Sequence, residues 1–284
     1  MDFRFMLQLI TDSTCDLPAA LMAQLQLHVV PITIRFGADT YLEGQTIDEA
    51  TFYEKVQTLG IIPKTSQPAP GLLADVYREA GRQGDAVLSL HITSKLSGTY
   101  NSAVLAQAMV KDEVHVEVFD SLAGSGALGF MAWEARQMSL AGAGLEEILN
   151  RLRAIRERIL IFLTLKDLKF AQMSGRVNAL QYAVASLLDV KPIVGLHEGA
   201  LDVQGRVRSR KRALQHLLDL VAEKVGQAPI NFAVIHARAA EEAADLLQQA
   251  QQRFTLKQTF IAPLCTSVAA NLGPGTIGVV AYRV

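Results

Sequence analysis

Apolar and polar positions follow two different periods along the first half of the chain. Short apolar runs at residues 7–10, 28–36, 86–91 and 114–119 read as strands. Between them, helical spacing covers residues 19–25, 47–59, 71–80, 97–110 and 127–140. Asp16 is the expected N-cap of the first of these helices, with Pro18 in its first turn, where a missing N–H costs nothing. Thr46 opens the second helix and Gly60 stops it. Regular strand–helix alternation predicts an α/β fold, a mostly parallel sheet flanked by helices on both faces. The strand ends at Asp12, His91 and Asp120 would then share the carboxyl edge, where such sheets place their ligands.

After about residue 144 the pattern changes. An amphipathic helix over 145–158 precedes a strand over 159–165 and a helix of small and apolar residues over 179–188. Strands are expected at 192–196, 200–208, 231–236 and 276–283, with a turn at Gly199 and helices over 211–225 and 239–254. This predicts an N-terminal α/β domain over 1–158 and a smaller C-terminal α+β domain over 159–284. No linker separates them.

Composition narrows the class. Of 284 residues, 50% are hydrophobic and 19% charged, and the mean hydropathy is +0.22, which excludes disorder. The apolar content must fill two-sided buried strands or line a cavity. No run reaches the ~18–20 apolar residues that span a bilayer. The start, Met1-Asp2-Phe3-Arg4, carries an acid where a secretory leader needs positive charge. Two cysteines make neither a disulfide framework nor a metal cluster, and six histidines lie scattered. The expectation is a soluble cytoplasmic protein without a metal or cofactor. A net charge of −1 argues against nucleic-acid binding.

Two polar stretches carry the chemistry: Thr65-Ser66-Gln67-Pro68 and Ser94-Lys95-Leu96-Ser97-Gly98-Thr99-Tyr100. Each crowds hydroxyls and backbone N–H groups into a turn, and Ser97-Gly98-Thr99 opens a helix, an arrangement suited to an anion. Pro68 and Pro70 stiffen the first stretch. Neither stretch has a general base beside it, so capture is indicated rather than cleavage. An anion-holding turn in so apolar a chain points to a ligand with a charged head and an apolar tail. Candidates for the tail's tunnel are Phe130, Phe162, Leu165, Phe170, Ala183 and Leu187.

Competing motifs are weaker. Gly124-Ser125-Gly126-Ala127-Leu128-Gly129 matches a dinucleotide fingerprint, but no second strand ends in an acid about 20 residues later. Close helix–sheet packing explains those glycines better. Asp12 and Asp16 lack a third carboxylate that would make them a metal site. Neither a phosphate-binding G-x-x-x-x-G-K-[ST] loop nor a G-x-S-x-G elbow occurs. Ser174-Gly175-Arg176 would let an arginine approach a ligand. Strand alternation points Arg206, Arg208 and Arg210 the same way, beside Lys211 and Arg212, which would make a local anion field.

Taken in order, these motifs resemble the DegV family of bacterial fatty-acid-binding proteins. The resemblance runs through Asp12-Ser13-Thr14 with Asp16-Leu17, the two polar stretches, Asp120-Ser121, Gly175-Arg176, Lys191-Pro192-Ile193 and Gly273-Pro274-Gly275. It implies a carrier, not an enzyme, holding one long-chain fatty acid between two domains. The carrier would present the carboxylate to a separate fatty acid kinase, and the acyl phosphate would pass to phospholipid synthesis. By that resemblance Thr65 and Ser97 hydrogen-bond the carboxylate, Arg176 lies near it, and Arg208 matches a basic residue implicated in presentation to the kinase. The helix opening at Gly98 and Thr99 and the amide of Asn271 would join the head-group set, and Arg206 would join Arg208 on the partner- or phosphate-facing side. Many members carry histidine where this chain has Asn271, and Gly-Gly-Arg where it has Ser174-Gly175-Arg176. The expected partners are fatty acid and kinase, compatibly with transient membrane contact, and no nucleic acid. The alternatives are a dinucleotide-dependent oxidoreductase using Gly124–Gly129 and a lipid-sensing regulator.

Overall fold

The computed structural model describes residues 6–166, 168–174 and 190–284. The first strands are β1 (Leu7–Asp12), β2 (His28–Val30), β6 (Ala86–His91) and β7 (Val116–Asp120), which pair in parallel in the order β2-β1-β6-β7. Successive side chains of a strand point to opposite faces. On one face Ile10, Val30 and Val87 pack against α3 (Pro70–Gly81) and α4 (Thr99–Val110). On the other, Leu9, Leu88 and Leu90 meet α5 (Ser125–Leu140). Helices therefore cover both faces, as the alternation requires.

The run expected as one strand over 28–36 divides in two. Pro31 has no N–H to donate to the ladder. Beyond it β3 (Thr33–Phe36) joins β4 (Asp39–Leu42) and β5 (Lys64–Ser66) in a separate antiparallel sheet of order β4-β3-β5. The helix between, α2 (Glu49–Leu59), is capped by Asp48, whose carboxylate accepts from the Thr51 N–H at 2.8 Å. Thr46, the expected opener, instead accepts from the Leu42 N–H in the preceding turn.

The second half builds a six-stranded, mostly antiparallel sheet of order β10-β9-β8-β13-β11-β12. Its strands are β8 (Leu160–Thr164), β9 (Lys191–His197), β10 (Ala200–Val207), β11 (Ile230–His236), β12 (Leu256–Pro263) and β13 (Ile277–Arg283). Glu198 and Gly199, both left-handed, turn β9 into β10. Beyond α6 (Leu145–Arg158) and α7 (Lys169–Ser174), the later helices are α8 (Arg210–Val225), α9 (Ala240–Arg253) and α10 (Thr266–Leu272). α8 and α9 cover one face of this sheet with Leu217, Val221 and Leu246.

α5 lies between the two large sheets. Its Phe130 meets Phe260 and Tyr282 of the six-stranded sheet at ring-centroid distances of 4.7 and 5.2 Å. One continuous core thus includes Leu9 and Leu88 of one sheet and Ala233 and Val280 of the other. The architecture is the α/β unit with a C-terminal sheet unit that the sequence predicts.

Candidate functional site

Loops and strand ends from both large sheets close around one cavity, a space of about 1230 Å³ when its mouth to solvent is included. Apolar side chains from β8, the β9–β10 hairpin, β11 and the segment before α10 form most of its wall: Ile161, Leu163, Leu196, Leu201, Ile235 and Leu264. Hydroxyls and amides gather on Thr65, Ser66, Ser97, Ser125, Ser267 and Asn271. A mostly apolar wall with a few convergent polar groups is the signature of a small-molecule site.

The polar end is built by loops at the carboxyl edge of the parallel sheet. Asp120 accepts from the N–H groups of Ser94 and Leu122, and Thr93 N–H bonds Ala123 O at 2.8 Å. These contacts pin the β6–α4 and β7–α5 connections side by side. Thr93 Oγ1 also donates to Gly199 O, tying this edge to the hairpin of the other sheet. Ser97 Oγ lies 2.8 Å from Thr99 Oγ1 and accepts from the Thr99 N–H, so the hydroxyl at the start of α4 is held in place. Gly98 is the N-cap residue of α4, and no side-chain cap occupies that end. Thr65 lies on β5 opposite Ile34, and its hydroxyl makes no hydrogen bond to another described residue. Asn271 Nδ2 donates to Ser267 O.

The structure therefore brings Thr65, Ser97, Gly98 and Asn271 to one cavity; Thr99 supports Ser97 from a fully buried position outside the lining. Arg176, Ala183 and Leu187 lie outside the described residues. The tail-lining expectation needs correction for Phe130, Phe162, Leu165 and Phe170, none of which lines the cavity. Phe162 packs with Ile193 and Leu217 on the opposite face of its strand, one residue out of phase with Ile161 and Leu163. Phe130 and Leu165 are fully buried in the central core. Phe170 fills the space over Gly273, where an added Cβ would come within 2.7 Å of its ring. Sequence reasoning missed Ser125 and Ser267. The small polar residues of α10 resemble loop sequence, and nothing local says which face of β8 looks into a cavity.

The basic cluster also divides. Arg206 and Arg208 are exposed, but β10 ends at Val207, so strand alternation does not extend to Arg210. Arg210 instead opens α8, pairs with both oxygens of Glu242 at 3.0 Å and donates to Gly275 O.

Two acids sit behind the polar wall. Asp16 is buried and does not cap α1 (Ala19–Leu25), whose N-cap residue is Pro18. Its carboxyl meets Ser125 Oγ and accepts from the Cys265 N–H. Burial pushes its pKa up to about 8, with the nearby Glu43 adding to the rise. Glu43 holds Ser13 Oγ, Thr266 Oγ1 and the Ser267 N–H, and burial raises its pKa too. Asp12 differs: it accepts from Thr14, Ile92 and His91, and these contacts outweigh a large burial penalty to leave its pKa lowered.

Asp12, His91 and Ser89 form an acid–histidine–hydroxyl row with links of 3.0 and 2.8 Å, a shape shared with hydrolytic triads. All three are fully buried, and Ser89 Oγ also takes a hydrogen bond from Tyr77 under α3. A nucleophile must reach its substrate, so this row is a structural one. Among the described residues no cluster of His, Cys, Asp and Glu is arranged to hold a metal ion.

Known proteins share this architecture. Protein DegV of Bacillus subtilis is 33% identical over 272 residues, covering 95% of this chain and 96% of that protein. A fatty-acid-binding DegV family protein from Thermus thermophilus superposes with a TM-score of 0.92 at 32% identity, covering 98% and 99% of the two chains. A stearic acid-binding protein from Eubacterium ventriosum gives 0.91 at 25% identity, covering 98% of each. The family model described as an uncharacterised protein of the DegV family matches residues 6–284, and the chain belongs to the DegV family.

Proposed function

We propose that this protein binds one long-chain fatty acid in the cavity between its two sheets and presents the carboxylate to a separate kinase. The carrying observation is the polarity of one wall: Thr65, Ser97 and Gly98 at one end of a lining that is otherwise largely apolar. A division near residue 158 is part of this reading, since the cavity draws on strands from either side of it. The fatty-acid-binding relatives from Thermus thermophilus and Eubacterium ventriosum support the ligand class.

The energetics fit. Burying about fifteen methylenes at ~0.8 kcal/mol each gives a gross term near 12 kcal/mol. Ordering the chain and losing rigid-body freedom cancel much of it. The tail therefore supplies most of the favourable term, and the head group sets orientation. A carboxylate leaving water must be hydrogen-bonded or it takes up a proton. The hydroxyls of Thr65 and Ser97 and the free N–H groups opening α4 meet that need without a tight ion pair. A carboxylate held so is already ionised and remains available to attack a phosphate donor. Asn271 supports it as a neutral hydrogen-bonding group on the same wall.

The dinucleotide alternative is disfavoured by packing. A Cβ on Gly126 would lie within 2.7 Å of Ile235, and one on Gly129 within 2.8 Å of Asp16 O, so these glycines serve close approach. A lipid-sensing regulator would need the same cavity.

The test is native mass spectrometry of the purified protein followed by denaturing extraction. A stoichiometric adduct of about 250–290 Da that extracts as a fatty acid, as a one-site pocket requires, supports the reading. Protein that stays bare after incubation with oleate and palmitate overturns it.

A further inference from the structure

Ser125 lines the cavity and opens α5 from a left-handed backbone (φ +55°), an unfavourable conformation for a residue with a side chain. Its hydroxyl lies 2.5 Å from Asp16 Oδ2, while Asp16 Oδ1 takes the Cys265 N–H at 3.0 Å. Both carboxyl oxygens are therefore engaged in a site that is 5% exposed. Among the described residues no cation lies within ion-pair distance of Asp16. The charged and titratable groups that face it are Glu43, Cys15 and Cys265, with Asp12 at the start of the same turn paired to His91. Asp16 and Glu43 hold adjacent residues, 265 and 266–267, so two acids share one dry wall.

The direction of the Ser125–Asp16 hydrogen bond then has a consequence inside the cavity. An ionised Asp16 can only accept, so Ser125 must commit its one proton to it and turn lone pairs to the cavity. A neutral Asp16 donates to Ser125 Oγ, which frees the Ser125 proton to point inward. Thr93 bridges the two places: its N–H bonds Ala123 O and its carbonyl accepts from the Ser97 N–H, so Ser125 and Ser97 belong to one connected edge.

We propose that Asp16 is a positioning residue that sets Ser125 as a further head-group donor, so that capture of a carboxylate is linked to one proton held on Asp16. The proposal rests on the fatty-acid reading of the cavity. No bond to the ligand forms. The proton stays on Asp16, shared with Ser125 Oγ, while the Ser125 proton is shared with the ligand's carboxylate. Where Asp16 is ionised, binding takes up one proton from solvent. The raised pKa of Asp16, near 8, places that switch just above neutrality.

The experiment is oleate affinity between pH 6.5 and 9.5, read by displacement of a fluorescent fatty acid, for wild type, Asp16→Asn, Ser125→Ala and Glu43→Gln. One-proton linkage weakens wild-type binding by about tenfold for each pH unit above the Asp16 pKa. The side-chain amide of D16N would donate to Ser125 and accept from Cys265 at every pH, so this variant stays tight and flat. S125A is weaker at pH 6.5 and flat, whereas E43Q keeps a slope. Wild-type affinity that is unchanged from pH 6.5 to 9.5 overturns the proposal while leaving the fatty-acid reading intact. A slope that persists in D16N or vanishes in E43Q does the same. No oleate binding at pH 6.5 overturns both.

Discussion

Ser97 Oγ and Thr99 Oγ1 lie 2.8 Å apart at the start of α4, and the Thr99 N–H reaches back to the same Ser97 oxygen. The serine is thereby fixed by a threonine that is itself sealed in the protein. Thr65, facing the same cavity from a different sheet, has no such protein partner among the described residues. The two hydroxyls should respond differently to removal. Thr65→Ala is expected to leave the melting temperature of the ligand-free protein unchanged and to weaken oleate binding about ten- to hundredfold, since a hydrogen bond to a charged group contributes about 1.5–3 kcal/mol. Ser97→Ala should weaken binding as much and also lower stability by about 1 kcal/mol, because Thr99 loses its bond. Calorimetric melting alongside titration separates the two effects; an unchanged affinity in the double variant would sink the head-group assignment.

The arginines at the end of β10 are expected to divide by role. Arg208→Ala should preserve oleate affinity and stability, because the side chain is exposed, and on the proposed carrier role should lower acyl phosphate formation when a fatty acid kinase is supplied. Arg210→Ala should instead destabilise the fold by about 1–3 kcal/mol, since it removes a two-pronged pair with Glu242 and leaves Gly275 O without its donor. Loss of oleate binding in Arg208→Ala would mean that Arg208 shapes the cavity.

Cavity depth is open to test at Gly278 on β13. A Cβ there meets nothing closer than Leu163 Cβ at 3.4 Å, an ordinary contact, and the residue lines the cavity. Gly278→Val should fold and place its methyls in the tail's path. The lipid recovered from the variant is expected to shift to shorter chains by mass spectrometry. Phe162→Leu, on the opposite face of β8, should cost about 1 kcal/mol of stability and leave the recovered lipid unchanged.

Two buried acids give opposite pH dependences of stability. Asp16 has a folded pKa near 8, above the unfolded value of 3.8. The folded state therefore binds more protons between those values, and stability falls as pH rises from about 4 to 8. Asp12 is shifted down, so its contribution is present above the unfolded value and is lost as pH falls through the folded one. Chemical denaturation should show Asp16→Asn gaining on wild type as pH rises from 5 to 8. Parallel curves over that range would place the proton elsewhere.

Much of the fold is legible locally. The two strand–helix periods, the Ala86–His91 strand and the Leu145–Arg158 helix follow from apolar spacing within a dozen residues. Thr65, Ser97 and Gly98 are legible because hydroxyl-rich turns and a helix opening carry their chemistry in the immediate sequence, and Asn271 because a motif beside it marks the place. β5 is not legible: Lys64-Thr65-Ser66 has no apolar alternation and is a strand because it pairs with β3.

The order of apolar and polar residues thus determined the α/β class, the parallel first sheet and the hydroxyl-rich turns that reach the cavity, since each depends on neighbours in the chain. Tertiary structure alone decided which apolar residues face the cavity. On β8 both faces are apolar, so Phe162 and Leu163 are equivalent until α8 covers one face and the cavity lies against the other. The same holds for Asp16. A helix-capping position and a buried acid behind Ser125 read identically in sequence, and a contact across 109 residues separates them.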